Sequence, residues 1–258
     1  MTATGMLEYA IAIALVFSRI GGFLVVSPIP GAWVPKESRA MLAATLGLTI
    51  GILLGPPRAE LHFGLDLLLV TAREAAVGLL IGGAFRLVII AAEFMAGLVS
   101  QASWLSAPSS MNPDFGGQTQ AIGQISIVLA LLLAIASGTH RTVLAYLIES
   151  FRVLPVGSEM NISGAIPSFL SLVGRSFDVG MSLALPVLGI SLAVQAALAL
   201  VSRVAPNLQI FSVGFAVLVA SGLITFMSSL PMMAEGMVGY YQVIPGFLDD
   251  LLLTLSEV

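Results

Sequence analysis

The chain has 258 residues, of which 58% are hydrophobic and only 9% are charged, whereas soluble domains carry roughly 25% charged residues. So few charges cannot cover a water-soluble monomer, and a net charge of −4 with no block of one sign excludes the basic surface that nucleic-acid binding needs. The absence of cysteine excludes disulfides, thiolate metal sites and cysteine nucleophiles. We therefore expect an all-α protein of hydrophobic, membrane-associated helices.

The N-terminal part is predicted to form three helices separated by breaks that contain proline and glycine. The first covers residues 7–26, where Arg19 interrupts the apolar run. It is expected to be retained, because the chain does not begin with the positive region of a cleavable signal. Helices over residues 40–54 and 65–99 follow. The third is too charged for a simple membrane span, since it contains Arg73, Glu74, Arg86 and Glu93.

The centre of the chain, residues 106–120, is its least helical part, because prolines and glycines alternate with small polar residues. We predict a loop that is either an ordinary exposed connection or the lining of a water-filled cavity, and the composition favours neither. The helices on either side of residues 203–207 are a candidate antiparallel hairpin. Beyond the loop, helices are predicted over 121–137, 141–151, 166–175, 179–202 and 208–230, with an apolar tail over 237–255.

One face of the third helix combines charge with small residues. At about 100° per residue, Glu74, Gly78, Gly82, Arg86 and Glu93 fall within roughly a third of the helix circumference. Glycine permits close backbone approach and buried charges need partners, so this face is expected to pack against protein rather than lipid. Two interpretations remain, a proton or ion relay and a set of charges that lock helices or subunits together. The second is favoured, because a relay would show further titratable groups.

Glycine spacing and the histidines add weaker signals. Gly47, Gly51 and Gly55 repeat every four residues, a pattern that allows tight helix contacts. His62 and His140 lie far apart, without neighbouring ligands or a nucleophile. No H-E-x-x-H, P-loop or G-x-S-x-G pattern occurs. The sequence therefore predicts no enzyme activity, no metal and no cofactor.

Three sequence blocks together resemble the FliR family of flagellar type III export-gate proteins. They are S-P-I-P-G-A-W-V-P-K (27–36), F-R-V-L-P-V-G (151–157) and S-R-V-A-P-N-L-Q-I-F-S-V-G-F (202–215). The third block is the most specific, and the order and spacing of the blocks fit the family throughout the chain. The resemblance implies subunit contacts at the motif residues Arg203, Ala205, Pro206, Asn207, Phe211 and Gly214.

The resemblance implies a fold and a function. The fold would be a broken, FliP-like N-terminal part (residues 1–178) followed by a FliQ-like helical hairpin and tail (179–258). The function would be a structural, pore-forming subunit of the flagellar export gate, through which unfolded flagellar proteins pass. Its partners would be FliP- and FliQ-type subunits, FlhB and membrane lipid, without nucleic acid. It would lie in the bacterial inner membrane, in the flagellar basal body, with the assembled core on the periplasmic side.

The resemblance also places a plug loop over residues 106–120. Asn112-Pro113 stands where Asp-Pro is common in the family. The expected gating residues of this loop are Ser106, Pro108, Met111, Asn112, Pro113, Phe115, Gly116 and Gly117.

Two functions are alternatives to the flagellar export-gate subunit. One is its virulence-injectisome counterpart, and the other is a proton-coupled transporter that uses Glu74, Arg86 and Glu93.

Overall fold

A computed structural model of the protein describes residues 3–29, 34–55, 65–104, 121–204 and 210–257. All regular structure in these ranges is α-helical and none of it is strand, so the predicted all-α class is confirmed. The helices are α1 (Ala3–Val26), α2 (Lys36–Leu54), α3 (Leu65–Ala102), α4 (Ala121–Ala136), α5 (Thr139–Val153), α6 (Ile162–Val204), α7 (Ile210–Tyr241) and α8 (Ile244–Ser256).

One predicted helix break is wrong. The helices expected over 166–175 and 179–202 are a single helix, α6. The residues at the expected break contribute to packing instead. The Ser176 hydroxyl lies 2.6 Å from the hydroxyl of Tyr240, and the Phe177 ring meets the edge of Phe94 at a centroid distance of 4.9 Å. Tertiary contacts therefore keep this stretch helical.

The predicted end of the next helix at Leu230 is also wrong. Helix α7 continues through Pro231 to Tyr241, although proline removes one hydrogen bond of the helical ladder. Met233 and Tyr241 are buried on the far side of the proline. The apolar tail expected over 237–255 is therefore divided, because residues 237–241 belong to α7 and residues 244–255 to the separate helix α8.

The described chain divides into two compact units. The first contains Met1–Leu87, Gly138–Val173 and Gln242–Val258. Its core is built from apolar side chains of α1, α3, α5 and α8. Helix α2 packs on α1 in an antiparallel manner, since Gly47 lies against Phe17 and Gly51 against Ile13. The largest fully buried apolar residues of this unit are Leu15, Ile20, Phe23, Ile81, Phe85, Leu154, Ile244, Leu248 and Leu251.

The second unit contains Val88–Ser137 and Gly174–Tyr241. The Tyr241 hydroxyl on α7 donates to the backbone oxygen of Ala130 on α4 at 2.8 Å. Helix α6 approaches α3 closely, because a Cβ added at Gly180 would lie 2.6 Å from the backbone oxygen of Ala91. Small residues therefore set helix spacing in this unit too.

Five helical segments of the described chain are long and apolar enough to cross a membrane: Glu8–Val26, Lys36–Leu54, Leu65–Ala102, Ile162–Val204 and Val213–Ser256. Their burial differs. The most apolar window is 67% buried in α3 but 17% buried in both α2 and α6. Helix α3 is thus an interior helix, whereas α2 and α6 carry broad apolar faces that lipid or another protein has to cover.

Candidate functional site

A fully buried ion pair lies at the centre of the first unit. Nε of Arg19, on α1, lies 2.6 Å from Oε2 of Glu74, on α3. Both side chains are 0% exposed. A pair removed from water in this way is tolerated only when its remaining donors and acceptors are also satisfied. The surroundings of Arg19 and Glu74 meet this condition.

The end of α5 supplies acceptors for the guanidinium group. Nη1 of Arg19 donates to the backbone oxygen of Ser150 at 2.8 Å and to its hydroxyl at 3.2 Å. Nη2 donates to the backbone oxygen of Leu154 at 3.0 Å. The backbone oxygen of Ser150 also accepts the N–H of Leu154 at 2.9 Å, and the last carbonyls of a helix carry the negative end of its dipole. Arg19 therefore neutralises the end of α5 and Glu74 together.

The Phe151 ring completes the arginine site. The guanidinium carbon of Arg19 lies 4.4 Å from the centroid of this ring. A desolvated cation over an aromatic face is stabilised by about 2 kcal/mol. The guanidinium group therefore has a carboxylate, backbone and hydroxyl oxygens and an aromatic face as its recorded partners.

The second carboxylate oxygen of Glu74 is held by the loop after α5. Oε1 accepts the backbone N–H of Gly157 at 3.0 Å. Gly157 has a φ of +83°, a conformation that glycine adopts without the steric penalty of a Cβ. The block F-R-V-L-P-V-G therefore has a structural role here, because Phe151, Leu154 and Gly157 all contact the ion pair.

Glycines bring α1 and α3 close enough to form the pair. A Cβ at Gly78 would collide with the backbone oxygen of Arg19, and a Cβ at Gly82 would lie 2.6 Å from that of Phe23. Gly22, on α1, meets the backbone oxygen of Ala75 in the same way. The Gly78–Gly82 spacing is thus used for backbone-to-backbone packing beside the ion pair.

The charged and glycine-rich face predicted on α3 also includes Arg86 and Glu93, which are not recorded as partners of the Arg19–Glu74 pair. Arg86 belongs to the first unit and Glu93 to the second. Both are half-buried, and both take part in interactions of their own. In the glycine series on α2, Gly47 and Gly51 contact α1, whereas Gly55 ends the helix with a φ of +77°. The structure therefore brings Glu74 and Gly78 against Arg19, whereas Gly82 lies against Phe23, one turn further along α1.

Sequence reasoning treated Arg19 only as an interruption of α1 and missed it as the partner of Glu74. The available signal was the requirement that each charge in an apolar helix finds a partner. That requirement does not say which partner, since Arg19 and Glu74 are 55 positions apart. Gly157 was marked only as part of the family block 151–157, and Ser150, which lies just before that block, gave no signal.

The predicted plug residues lie outside the described residues: Ser106, Pro108, Met111, Asn112, Pro113, Phe115, Gly116 and Gly117. Ala205, Pro206, Asn207 and the histidine His62 lie outside them as well. Phe211 falls in the first turn of α7, and Arg203 is exposed at the end of α6. Gly214 is buried, and a Cβ there would meet the Leu198 side chain at 3.3 Å, so α6 and α7 pack together at this point.

Buried hydroxyls in the second unit are a further feature that sequence reasoning missed. In the part of the chain that the structure describes, the hydroxyls of Ser100, Ser103, Ser126 and Ser191 are buried without a hydrogen-bond partner. Gln195 donates to the backbone oxygen of Ala102 at 3.3 Å, near the end of α3. The interior of this unit therefore contains polar groups available to water or to another chain segment.

Among the described residues, no group of three or more histidines, aspartates or glutamates could hold a metal ion. His140 is half-buried, and its Nδ1 has no partner within the described ranges.

The cluster around Arg19 holds α1, α3 and α5 together. Its chemistry is that of a structural lock.

Comparison with known proteins matches residues 10–243 to the family described as bacterial export proteins, family 1. The flagellar biosynthetic protein FliR of Caulobacter vibrioides is 30% identical over 215 residues, which cover 81% of this chain and 84% of that protein. The proteins of the same name from Escherichia coli and Bacillus subtilis are 25% and 28% identical. Their alignments cover 87% and 83% of this chain, and 86% and 83% of those proteins. The similarity therefore extends over most of each chain.

Proposed function

Because this chain belongs to the bacterial export proteins, family 1, and is a component of the flagellar export apparatus, we propose that it is a structural, pore-forming subunit of the flagellar type III export gate. In this role it shapes the channel for unfolded flagellar proteins and performs no covalent chemistry. The curated relatives are all flagellar proteins, which favours this role over a virulence-injectisome counterpart.

The observation that carries this proposal is the large apolar surface left uncovered by the chain alone. On α2, Met41 is 71% exposed and Leu53 is 80% exposed. On α6, Leu192 and Leu200 are 64% and 68% exposed. Contiguous apolar surfaces of this kind mark contacts with lipid or with other subunits. A chain that completes its core only in an assembly fits a gate subunit.

The proposed neighbours are FliP- and FliQ-type subunits, with FlhB as a further partner. In this proposal residues 1–178 take the FliP-like position and residues 179–258 the FliQ-like position. The contact between Leu198 and Gly214 supports a hairpin of α6 and α7 in the second part. Residues Arg203, Ala205, Pro206, Asn207 and Phe211, together with Gly214, are proposed subunit contacts at the hairpin.

Residues 106–120 are proposed as the plug of the channel. Helix α3 ends at Ala102, shortly before this segment. The proposed site is the bacterial inner membrane within the flagellar basal body, with the assembled core on the periplasmic side.

Glu74 is proposed to lock helices rather than to carry protons. Both of its carboxylate oxygens accept hydrogen bonds, from Arg19 and from Gly157. A relay group has to exchange its proton with a neighbouring carrier, and these two donors occupy the carboxylate. Arg86 and Glu93 are proposed packing charges on the same helix.

Co-expression with FliP- and FliQ-type proteins tests the assembly proposal. We expect the three chains to purify as one stable complex in detergent. Failure of this chain to join a complex formed by the other two would contradict the proposed role.

Deletion of residues 109–117 tests the plug within the assembled gate. We expect the complex to form but to leak ions across the membrane, because the channel is no longer closed. Unchanged permeability in a fully assembled gate would overturn the plug assignment and leave the subunit assignment standing.

A further inference from the structure

A groove with a volume of about 450 Å³ runs between α1 and α2. Its size falls within the range of about 300 to 1,000 Å³ typical of small-molecule sites. Apolar residues form most of its lining: Phe17, Gly21, Leu24, Val25, Ala40 and Ala43. Val25 is 71% exposed, so the groove is open to the surroundings.

Gly21 makes room for the groove. A Cβ added at Gly21 would meet no atom within 4 Å, whereas the other glycines between these helices are in contact. Gly47 and Gly51 bring α2 onto α1 at Phe17 and Ile13. The helices therefore touch at one end and leave space toward the other.

The basic residues Lys36 and Arg39 also line the groove. The antiparallel pairing of α1 and α2 places them opposite Val25, with the apolar lining extending toward Phe17. Phe17 and Val25 are eight positions apart on α1, which corresponds to roughly 12 Å of helix rise. Arg39 donates from Nε to the backbone oxygen of Val34 at 3.2 Å. Neither basic side chain forms an ion pair in the described part of the chain.

We propose that this groove binds an anionic phospholipid. The phosphate lies against Lys36 and Arg39, and an acyl chain lies along α1 between Val25 and Phe17. Basic pockets beside apolar helix surfaces recognise anionic headgroups in this way. The proposal does not depend on the gate assignment, since it uses only the α1–α2 hairpin.

The groove has two basic side chains and an otherwise apolar lining, and this combination favours a lipid over other occupants. A free phosphate ion would use the two cations but leave the apolar walls in water. A helix of a protein partner would bury the apolar walls. That helix would need an acidic side chain at the right position to place an anion beside Lys36 and Arg39. A phospholipid has both features, with its charge at one end and its chain at the other.

Native mass spectrometry of the detergent-purified chain tests the proposal with phosphatidylglycerol and phosphatidylcholine of the same acyl chains. We expect a preference of roughly tenfold for phosphatidylglycerol, because two basic side chains meet the anionic headgroup. Lys36→Gln with Arg39→Gln should abolish the preference, and Gly21→Leu should reduce retention of both lipids by filling the groove.

Matched variants separate the groove from general effects of charge and size. Arg141→Gln with Arg152→Gln removes the same charge from exposed positions of the same unit. Gly246→Leu adds the same side chain to an exposed glycine with open space around it. Both should retain the preference. Equal retention of the two lipids by the native chain, or an unchanged preference after loss of Lys36 and Arg39, would overturn the proposal.

Two further measurements identify the occupant. Inorganic phosphate should not displace the lipid, and displacement by phosphate alone would mean that the groove is an ion site. A photo-reactive residue in place of Val25 should crosslink to lipid in membranes that contain the assembled apparatus. Crosslinks to protein alone would mean that a subunit or a second copy fills the groove, and would overturn the lipid assignment.

Discussion

Gly157 donates its backbone N–H to Oε1 of Glu74 at a distance of 3.0 Å. The backbone of Gly157 has a φ of +83°. Because a side chain at this φ is strained, the loop after α5 reaches the carboxylate without backbone strain only with glycine at this position. Arg19 holds the other carboxylate oxygen. The loop, α1 and α3 are thus joined through one side chain.

Gly157→Ala should destabilise the protein by about 1 to 2 kcal/mol, because alanine has to adopt left-handed backbone or release Glu74. At roughly 2 to 4 °C per kcal/mol, the melting temperature of the purified chain should fall by several degrees. Gly246→Ala is the control, since Gly246 is helical and has open space around it. An equal fall in both variants would contradict the role of the positive φ.

Glu74→Gln should destabilise by about 3 kcal/mol or more, because it leaves the Arg19 charge buried without a counterion. The fall should appear as a lower melting temperature and a lower yield of folded chain. The combination of Glu74→Leu with Arg19→Met should recover much of the loss, since apolar replacement of a buried pair is often neutral.

The exposed pair of Arg152 and Glu149 is the control for the buried one. Its atoms are 3.0 Å apart, and its side chains are 83% and 41% exposed. Solvent screening reduces such a helical pair to about 0.5 kcal/mol or less. Arg152→Gln should therefore have almost no effect on the melting temperature. If Glu74→Gln were equally mild, the buried pair would not be a lock.

Arg19→Lys should be far from conservative. Arg19 uses three nitrogens to contact Glu74, Ser150 and Leu154 in three directions. An ammonium group retains the charge but cannot reproduce this planar arrangement. We expect a loss of about 2 to 4 kcal/mol, measured by thermal unfolding. Native stability in the lysine variant would indicate that a point charge suffices.

Gly78→Ala should prevent close packing of α1 on α3, because the added Cβ collides with the backbone oxygen of Arg19. Overpacking of this kind costs about 1 to 3 kcal/mol, and more where backbone has to move. Gly97→Ala lies on the same helix with no atom within 4 Å of the added Cβ. It should be neutral or slightly stabilising, and the two variants are compared by melting temperature and folded yield.

Helix positions were largely predictable because proline and glycine mark several ends. The predicted end of α1 at Val26 and of α2 at Leu54 agree with the structure. The start of α2 lies at Lys36, earlier than expected, since Pro35 occupies the position before the helix, where a proline does not interrupt the hydrogen-bond ladder.

The errors came from side chains whose effect depends on distant contacts. Pro231 ends a helix by local rules, but buried residues on both sides keep α7 continuous. Glu74 was identified from helical periodicity, whereas Arg19 was not identified as its partner. Periodicity within one helix cannot tell which of the other helices will face it.

The distance in sequence between Arg19 and its acceptors has a consequence for biosynthesis. Ser150 is synthesised 131 residues after Arg19, an interval on the order of ten seconds at cellular elongation rates. Glu74 follows Arg19 by only 55 residues, so the arginine in this apolar helix gains its counterion well before it gains the acceptors at the end of α5, and a lone arginine in a membrane helix costs roughly 3 kcal/mol. Chains that end before α5 lack the backbone oxygens of Ser150 and Leu154 that accept from Nη1 and Nη2 of Arg19, so the hydrogen bonds of the buried arginine are complete only after residues 150–157 have been made.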